Sequence, residues 1–191
     1  MALETLRDLY VHELKDLYSA ENQIIKALPK MARATKNRRL ASAFNHHLGQ
    51  TRNQAKRLKR ILKSHKESTR APKCKGMEGL LKEGDSVIKE AEKDVRDAGL
   101  IAAAQRVEHY EMAGYGCART YAQLLGDRAG ARLLHTSLQE EGRTDKKLTD
   151  LAKSAVNLRA KKQKKSPNGS NGVAEAISRI VQKFKSAKIL L

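Results

Sequence analysis

The sequence predicts an all-α fold, and three observations lead there. The composition is rich in Ala, Leu, Lys, Arg and Glu, which favour helix over strand. Apolar residues recur every three or four positions over long stretches. Almost no β-branched run is long enough to read as a strand. Trp is absent and aromatics make up only 4 % of the 191 residues, so the interior must be built from aliphatic and small side chains. That length suits one good core with an appendage.

The first long helix is expected over residues 3–35, with Leu6, Tyr10, Leu17, Ile24 and Leu28 on its apolar stripe. Pro29 is placed to kink or re-aim its last turn. The polar turn TKNRR leads to a second helix over 38–67, whose stripe includes Leu40, Phe44, His47, Leu58 and Ile61. The segment KESTRAPKCKG reads as a loop, with Pro72 and Gly76 as breakers. A short amphipathic helix over 77–91 follows, interrupted by Gly79 and Gly84. The third long helix is expected over 97–125. Gly126 and Gly130 in LLGDRAG mark a tight turn, where Asp127 is suited to cap the fourth helix, which runs to about 158.

Two helical hairpins joined by a long connection with its own short helix imply a four-helix bundle over residues 1–158. The crossover packs the second hairpin on the first in ferritin-like order. Residues 159–172, RAKKQKKSPNGSNG, read as a basic flexible linker. Helical spacing returns over 173–191, an expected short amphipathic helix that completes a basic C-terminal extension.

No run of 18 apolar residues is available to span a membrane, and the N-terminus lacks a secretory apolar region. Cys74 and Cys117 are the only cysteines and have no CxxC spacing, so a reduced cytoplasmic setting is expected, with both thiols structural or incidental. The net charge of +18 is unevenly spread. Residues 36–75 carry net +12 and residues 151–191 net +9, whereas residues 1–35 balance and residues 76–150 carry net −3. Both basic regions suit a polyanion.

Each long helix breaks its apolar stripe with polar residues. Glu21 lies between Leu17 and Ile24; His47, Gln50 and Gln54 fall on the inward arc of the second helix; Glu108 and Glu111 sit on the stripe of the third. Glu141 and Asp145 lie four residues apart on one face of the fourth. A buried carboxylate costs several kcal/mol unless it is paired, protonated or bound to a cation. Register decides whether these groups meet. Glu21 and Gln50 are equidistant from the TKNRR turn, and Glu111 and Glu141 from the LLGD turn. Aligned hairpins then bring Glu21, His47, Glu108, Glu111, Glu141 and Asp145 to one height. That is a ligand inventory for a dinuclear, carboxylate-bridged iron or manganese site. Taken singly, each residue has a plainer reading. A lone stripe Glu is more often an edge acid paired with Arg or Lys, and a lone His more often a satisfied core residue. Tyr10, Tyr18, Tyr110 and Tyr115 near the inner faces could hydrogen-bond a ligand or carry a radical, but at helical spacing they are more often core filler.

HELKDLYSAENQIIKALPKMARAT, HHLGQT, KCKGMEGL, DAGLIAAAQRVEHYEMAGYG and LTDLA occur in an order that resembles the YciE/YciF-type ferritin-like family, over about residues 4–152. The resemblance implies a ferritin-like bundle, usually dimeric, linked to bacterial stress responses, with a di-iron or related site by analogy with rubrerythrins. It places the polar layer on Glu21, His47, Gln50, Glu108, Glu111, Glu141 and Asp145. One departure matters: the family more often has acids before the Thr of HHLGQT, where this chain has Gly49 and Gln50. A neutral amide at position 50 removes one charge and one bridging group.

The stretch RNQAKRLKRILKSHK spreads Arg52, Lys56, Arg57, Lys59, Arg60 and Lys63 around the outer circumference of the second helix. Lys161, Lys162, Lys164 and Lys165 form a second basic run. Both could be solvated faces, or could bind nucleic acid without sequence preference. Two functions therefore stand: a di-metal stress protein of ferroxidase or peroxidase type acting on iron, oxygen or peroxide, and a metal-poor scaffold binding DNA, RNA or a protein partner.

Overall fold

Thr5 starts the first helix. In the computed structural model, which describes residues 3–164, its hydroxyl accepts the Asp8 N–H at 3.1 Å while Asp8 Oδ2 accepts the Thr5 N–H at 3.0 Å. This reciprocal cap satisfies donors that a helix start leaves open, and α1 (Leu6–Ala34) runs from it straight through Pro29. The Asn37 side chain accepts the N–H groups of Arg39 and Leu40 and opens α2 (Arg38–Ser64). That helix ends three residues before the expected 67, because Lys66 adopts a left-handed φ of 59°. The turn is held by bonds from the Lys66 N–H to Lys63 O and from the Glu67 N–H to Leu62 O.

α3 (Lys75–Glu90) begins earlier than expected and passes uninterrupted through Gly79 and Gly84. Gly84 is buried against Ala103, a contact in which small residues let α3 approach α4. α4 (Lys93–Leu124) also starts four residues before the expected position. Gly126, at φ 77°, closes it with the same pattern of bonds that ends α2. Asp127 caps α5 (Arg128–Leu151) as expected, its Oδ1 accepting the Gly130 N–H at 2.8 Å. A π-type turn (Ala152–Val156) and α6 (Asn157–Lys162) carry the helical path four residues past 158. Lys165, the rest of the linker and the expected helix over 173–191 lie outside the described residues.

Four long helices close a ring: α1 packs on α2, α2 on α5, α5 on α4 and α4 on α1, while α3 lies against α4 and α1. Among the described residues there is no strand. The interior divides into two apolar clusters. One gathers Ile24, Leu28, Phe44, Leu100, Ile101 and Leu148; the other gathers Tyr10, Leu14, Leu58, Leu62, Tyr115 and Leu134. Between them, every long helix contributes buried polar residues. Along α1 and α5 the chain passes from the second cluster through polar positions to the first; along α2 and α4 it passes the other way. α2 and α4 are therefore parallel, and the connection between them crosses the length of the bundle.

The α1–α2 turn is pinned from a distance. Asp97 of α4, 3 % exposed, accepts the backbone N–H groups of Lys36 at 3.1 Å and Asn37 at 2.9 Å. These bonds satisfy two donors of the turn, of which Asn37 is buried, and fix the height at which the first hairpin meets α4.

Candidate metal centre

Glu21, His47, Glu108, Glu111 and Glu141 are each at most 2 % exposed, although no residue type is costlier to bury than an ionised acid. One ligand atom from each of His47, Glu108, Glu111 and Glu141 lies within 4.8 Å of the others. His47 Nε2 is 3.2 Å from Glu108 Oε1 and 3.8 Å from Glu141 Oε2. Glu21 approaches the group from α1 through Glu111 and accepts a short hydrogen bond from the Tyr115 hydroxyl. Gly114 eases that approach: a Cβ there would stand 2.9 Å from Leu17 Cδ2, so a larger residue would force the Leu17 side chain, one turn before Glu21, to shift.

The electrostatics follow from the burial. Desolvation raises the carboxyls of Glu21, Glu108 and Glu111 well above the ordinary range, and the neighbouring carboxylates reinforce it. Glu141 is raised to about 7, again chiefly by burial, with its contacts to Glu108 and Gln54 working against the rise. Burial lowers His47 to about 4, so its imidazole is neutral at physiological pH.

The layer is full of unanswered acceptors. Among the described residues, Glu21 Oε2, Glu108 Oε2, both oxygens of Glu111 and Glu141 Oε2 have no hydrogen-bond partner; neither do His47 Nε2, Gln50 Oε1 and Gln54 Oε1. Buried polar atoms are normally paired, so a concentration of orphans at one place calls for a ligand. The donor set is oxygen-rich with one imidazole, which suits iron or manganese. Four carboxylates carry the charge that two divalent cations balance. The residues present therefore fit such a group.

Other polar residues hold the ligand candidates in place. The Gln54 amide donates to Glu141 Oε1 in a short bond and to Glu140 Oε2 at 3.0 Å. Arg57 grips both Glu140 oxygens, at 2.6 and 2.9 Å. Thr144 Oγ1 lies 3.4 Å from His47 Nδ1 and so influences which imidazole nitrogen is left for the layer.

Of the seven residues expected in the layer, five converge. Gln50 lies beside His47 with its Oε1 buried, although the residue as a whole is only half-buried. Asp145 is not brought into the group; it accepts from Gln105 Nε2 at 2.9 Å and faces His109 at 3.4 Å. From sequence the supporting role of Glu140 is missed, and Tyr115 reads as core filler, whereas its hydroxyl bonds Glu21. Their signals were the adjacent pair Glu140–Glu141 and the four-residue step from Glu111 to Tyr115. On the outer face of α2, Arg52, Lys56, Lys59, Arg60 and Lys63 are exposed and have no acid partner among the described residues, whereas Arg57 is tied to Glu140. Lys161, Lys162 and Lys164 are also exposed.

Known proteins resemble this chain over most of its length. The family described as "Domain of unknown function (DUF892)" matches residues 5–161. Protein YciF of Escherichia coli (strain K12) is 49 % identical over 162 residues, which are 84 % of this chain and 98 % of that protein. The crystal structure of YciF, described as an E. coli stress protein, superposes with a TM-score of 0.78 over 81 % of this chain and 99 % of that one. YcfI from Rhodopseudomonas palustris, at 40 % identity, gives a TM-score of 0.74 over 77 % and 94 %.

Proposed function

Because the chain belongs to the DUF892 family and is a homologue of the stress protein YciF, we propose that it is a ferritin-like stress-response protein that holds iron or manganese in its bundle core. The parallel course of α2 and α4, with α3 in the crossing connection, supports the ferritin-like order. One observation carries the metal reading: the orphaned oxygens of four buried glutamates and the orphaned His47 Nε2 converge on one layer.

In this reading His47, Glu108, Glu111 and Glu141 form the fuller position, and Glu21 with Glu111 the edge of a second. When bound, the metal would supply one-electron chemistry toward ferrous iron, oxygen or peroxide. The protein's own residues do the rest. Gln54 and Tyr115 orient Glu141 and Glu21 through the oxygens not offered to the layer. The apolar clusters on either side exclude water. Glu141, raised to about 7 in the metal-free protein, gives up its proton when a cation binds, so metal uptake releases protons near neutrality. Gln50, beside His47 where an acid would add a charge, leaves the layer one anionic group short and so weakens one metal position.

The test is anaerobic loading with ferrous ion followed by exposure to oxygen or peroxide, comparing the native chain with Glu111→Ala. Oxidation beyond the protein-free rate in the native chain, lost in the variant, is expected. Equal rates in both would contradict a redox role for the layer.

A second reading rests on the unpaired basic face of α2. Arg52, Lys56, Lys59, Arg60 and Lys63 would meet a phosphate backbone as a salt-sensitive surface without sequence preference. Duplex retention that is unchanged between low and high salt would remove this reading.

A further inference from the structure

A cleft of about 790 Å³ opens on the α4–α5 hairpin, away from the buried acids, lined by Arg119, Gln123, Arg128, Arg132, His135 and Thr136. We propose that it binds a small phosphate-bearing anion, a polyphosphate or phosphate ester, through its three guanidinium groups.

Three features of the cleft are unfavourable without such a ligand. Arg128 lies in the first turn of α5, where the helix dipole disfavours a cation and the Asp127 cap, already bound to the Gly130 N–H, offsets only part of that cost. Arg128 and Arg132 stand four residues apart on one helix face, so their charges repel. Arg119 keeps its Nε buried with no acceptor among the described residues, and its Nη1 lies 3.2 Å from His135 Nδ1. No carboxylate lines the cleft, and none pairs with these arginines among the described residues. One multiply charged oxyanion offsets all three features. It offers oxygens to the Arg119 guanidinium, screens Arg128 from Arg132, and adds negative charge beside the first turn of α5 to that of the Asp127 cap.

The chemistry favours phosphate over a simple carboxylate. Guanidinium forks match phosphate oxygens in pairs, and three of them suit a ligand carrying two to three negative charges. With Nδ1 of the neutral imidazole accepting from Arg119, His135 has its Nε2–H to donate, and Thr136 and Gln123 add neutral donors. The cleft is open and its volume of about 790 Å³ lies within the range of small-molecule sites. Residue spacing alone gave no sign of it, because Arg119 belongs to a different helix from Arg128 and Arg132.

Calorimetric titration of the full chain with inorganic phosphate and pyrophosphate, at physiological ionic strength, tests the assignment. Pyrophosphate is expected to bind saturably at one per chain and more tightly than phosphate. Arg128 and Arg132 are exposed, so R128Q/R132Q is expected to fold normally by circular dichroism and to weaken binding roughly 100-fold, about tenfold for each lost charge-assisted contact. The equal charge change K82Q/K89Q on α3 is expected to leave binding within about twofold. Absence of saturable binding, or binding that survives R128Q/R132Q, would overturn the assignment. A short DNA duplex that displaces pyrophosphate stoichiometrically would overturn it in favour of a nucleic-acid surface.

Discussion

His47 Nε2 meets Glu108 Oε1 at 3.2 Å across the bundle, joining α2 and α4, two helices that are not neighbours in the ring. The contact is not an ion pair. Burial pushes the imidazole down to about 4 and the carboxyl up, so both charged forms are disfavoured. What remains is a neutral imidazole and a carboxyl, each with an unsatisfied atom, held together by helices that could have placed leucines there. The arrangement is costly as structure and economical as a ligand set.

If so, removing a ligand candidate separates metal binding from stability. Glu111→Leu is expected to lower metal affinity at least about 100-fold, since even outer partners of metal ligands cost 10- to 100-fold. The same change is expected to stabilise the metal-free protein by about 1–3 kcal/mol, because a buried carboxyl with two orphaned oxygens becomes apolar. Urea denaturation in chelator measures the second effect and competition with a metallochromic dye the first. A structural acid would give destabilisation instead.

The pH dependence of the metal-free protein has a definite sign. A carboxyl raised in the folded state binds its proton more tightly there than when unfolded, so it favours folding at low pH. Its contribution is lost as pH rises from the ordinary value of 4.5 through the folded one, about 7 for Glu141. Glu21, Glu108 and Glu111 act in the same direction. His47, lowered to about 4, opposes them between that value and 6.5, because the unfolded state binds the extra proton there. Four groups outweigh one. In chelator, the urea midpoint is expected to fall between pH 5 and 8, and with bound metal to hold or rise. A midpoint in chelator that rises over the same interval would contradict the raised carboxyls.

Tyr115→Phe removes the hydroxyl that holds Glu21 Oε1. The ring remains to fill the apolar cluster, so folding should be retained, while metal affinity at the second position falls about tenfold. Metal titration monitored by absorption would detect the change. An unaltered titration would show that Tyr115 does not position Glu21 for the metal.

Gln50→Glu restores the charge that the polar layer lacks beside His47. Metal content per chain is expected to rise and the metal-free protein to lose about 1–3 kcal/mol, the cost of adding a partly buried, unpaired acid. Elemental analysis and denaturation in chelator report the two halves. Asp145→Asn, at a residue already bound to Gln105 and apart from the four ligand candidates, should change neither appreciably.

Asp97→Ala tests the scaffold rather than the site. It strips the acceptors from two backbone N–H groups of the α1–α2 turn and is expected to cost about 2–4 kcal/mol of stability. Thermal denaturation measures it.

The four long helices and the height of the polar layer were legible in the sequence, because helical spacing and turn-centred register are both local arithmetic. Glu21, Glu111 and Glu141 followed from that arithmetic alone. The exceptions depended on direction around the helix axis or on partners far along the chain. Asp145 sits one turn beyond Glu141, yet it turns toward Gln105 instead of the layer. Arg57 read as one of six surface cations, and only the approach of Glu140 withdraws it from that face. Asp97 looked like the start of a helix rather than the anchor of a turn about 60 residues away. The glycines of α3 read as breaks, but packing of Gly84 on α4 made helix the favoured path.

The central claim is that the buried layer is a metal site, and elemental analysis of the full chain, purified without chelator and then loaded anaerobically with ferrous ion, tests it most directly. Between one and two iron or manganese atoms per chain are expected, lost on Glu111→Ala. A native chain with no bound metal after loading at neutral pH would contradict it, and would mean that the four glutamates are held protonated inside a purely structural bundle.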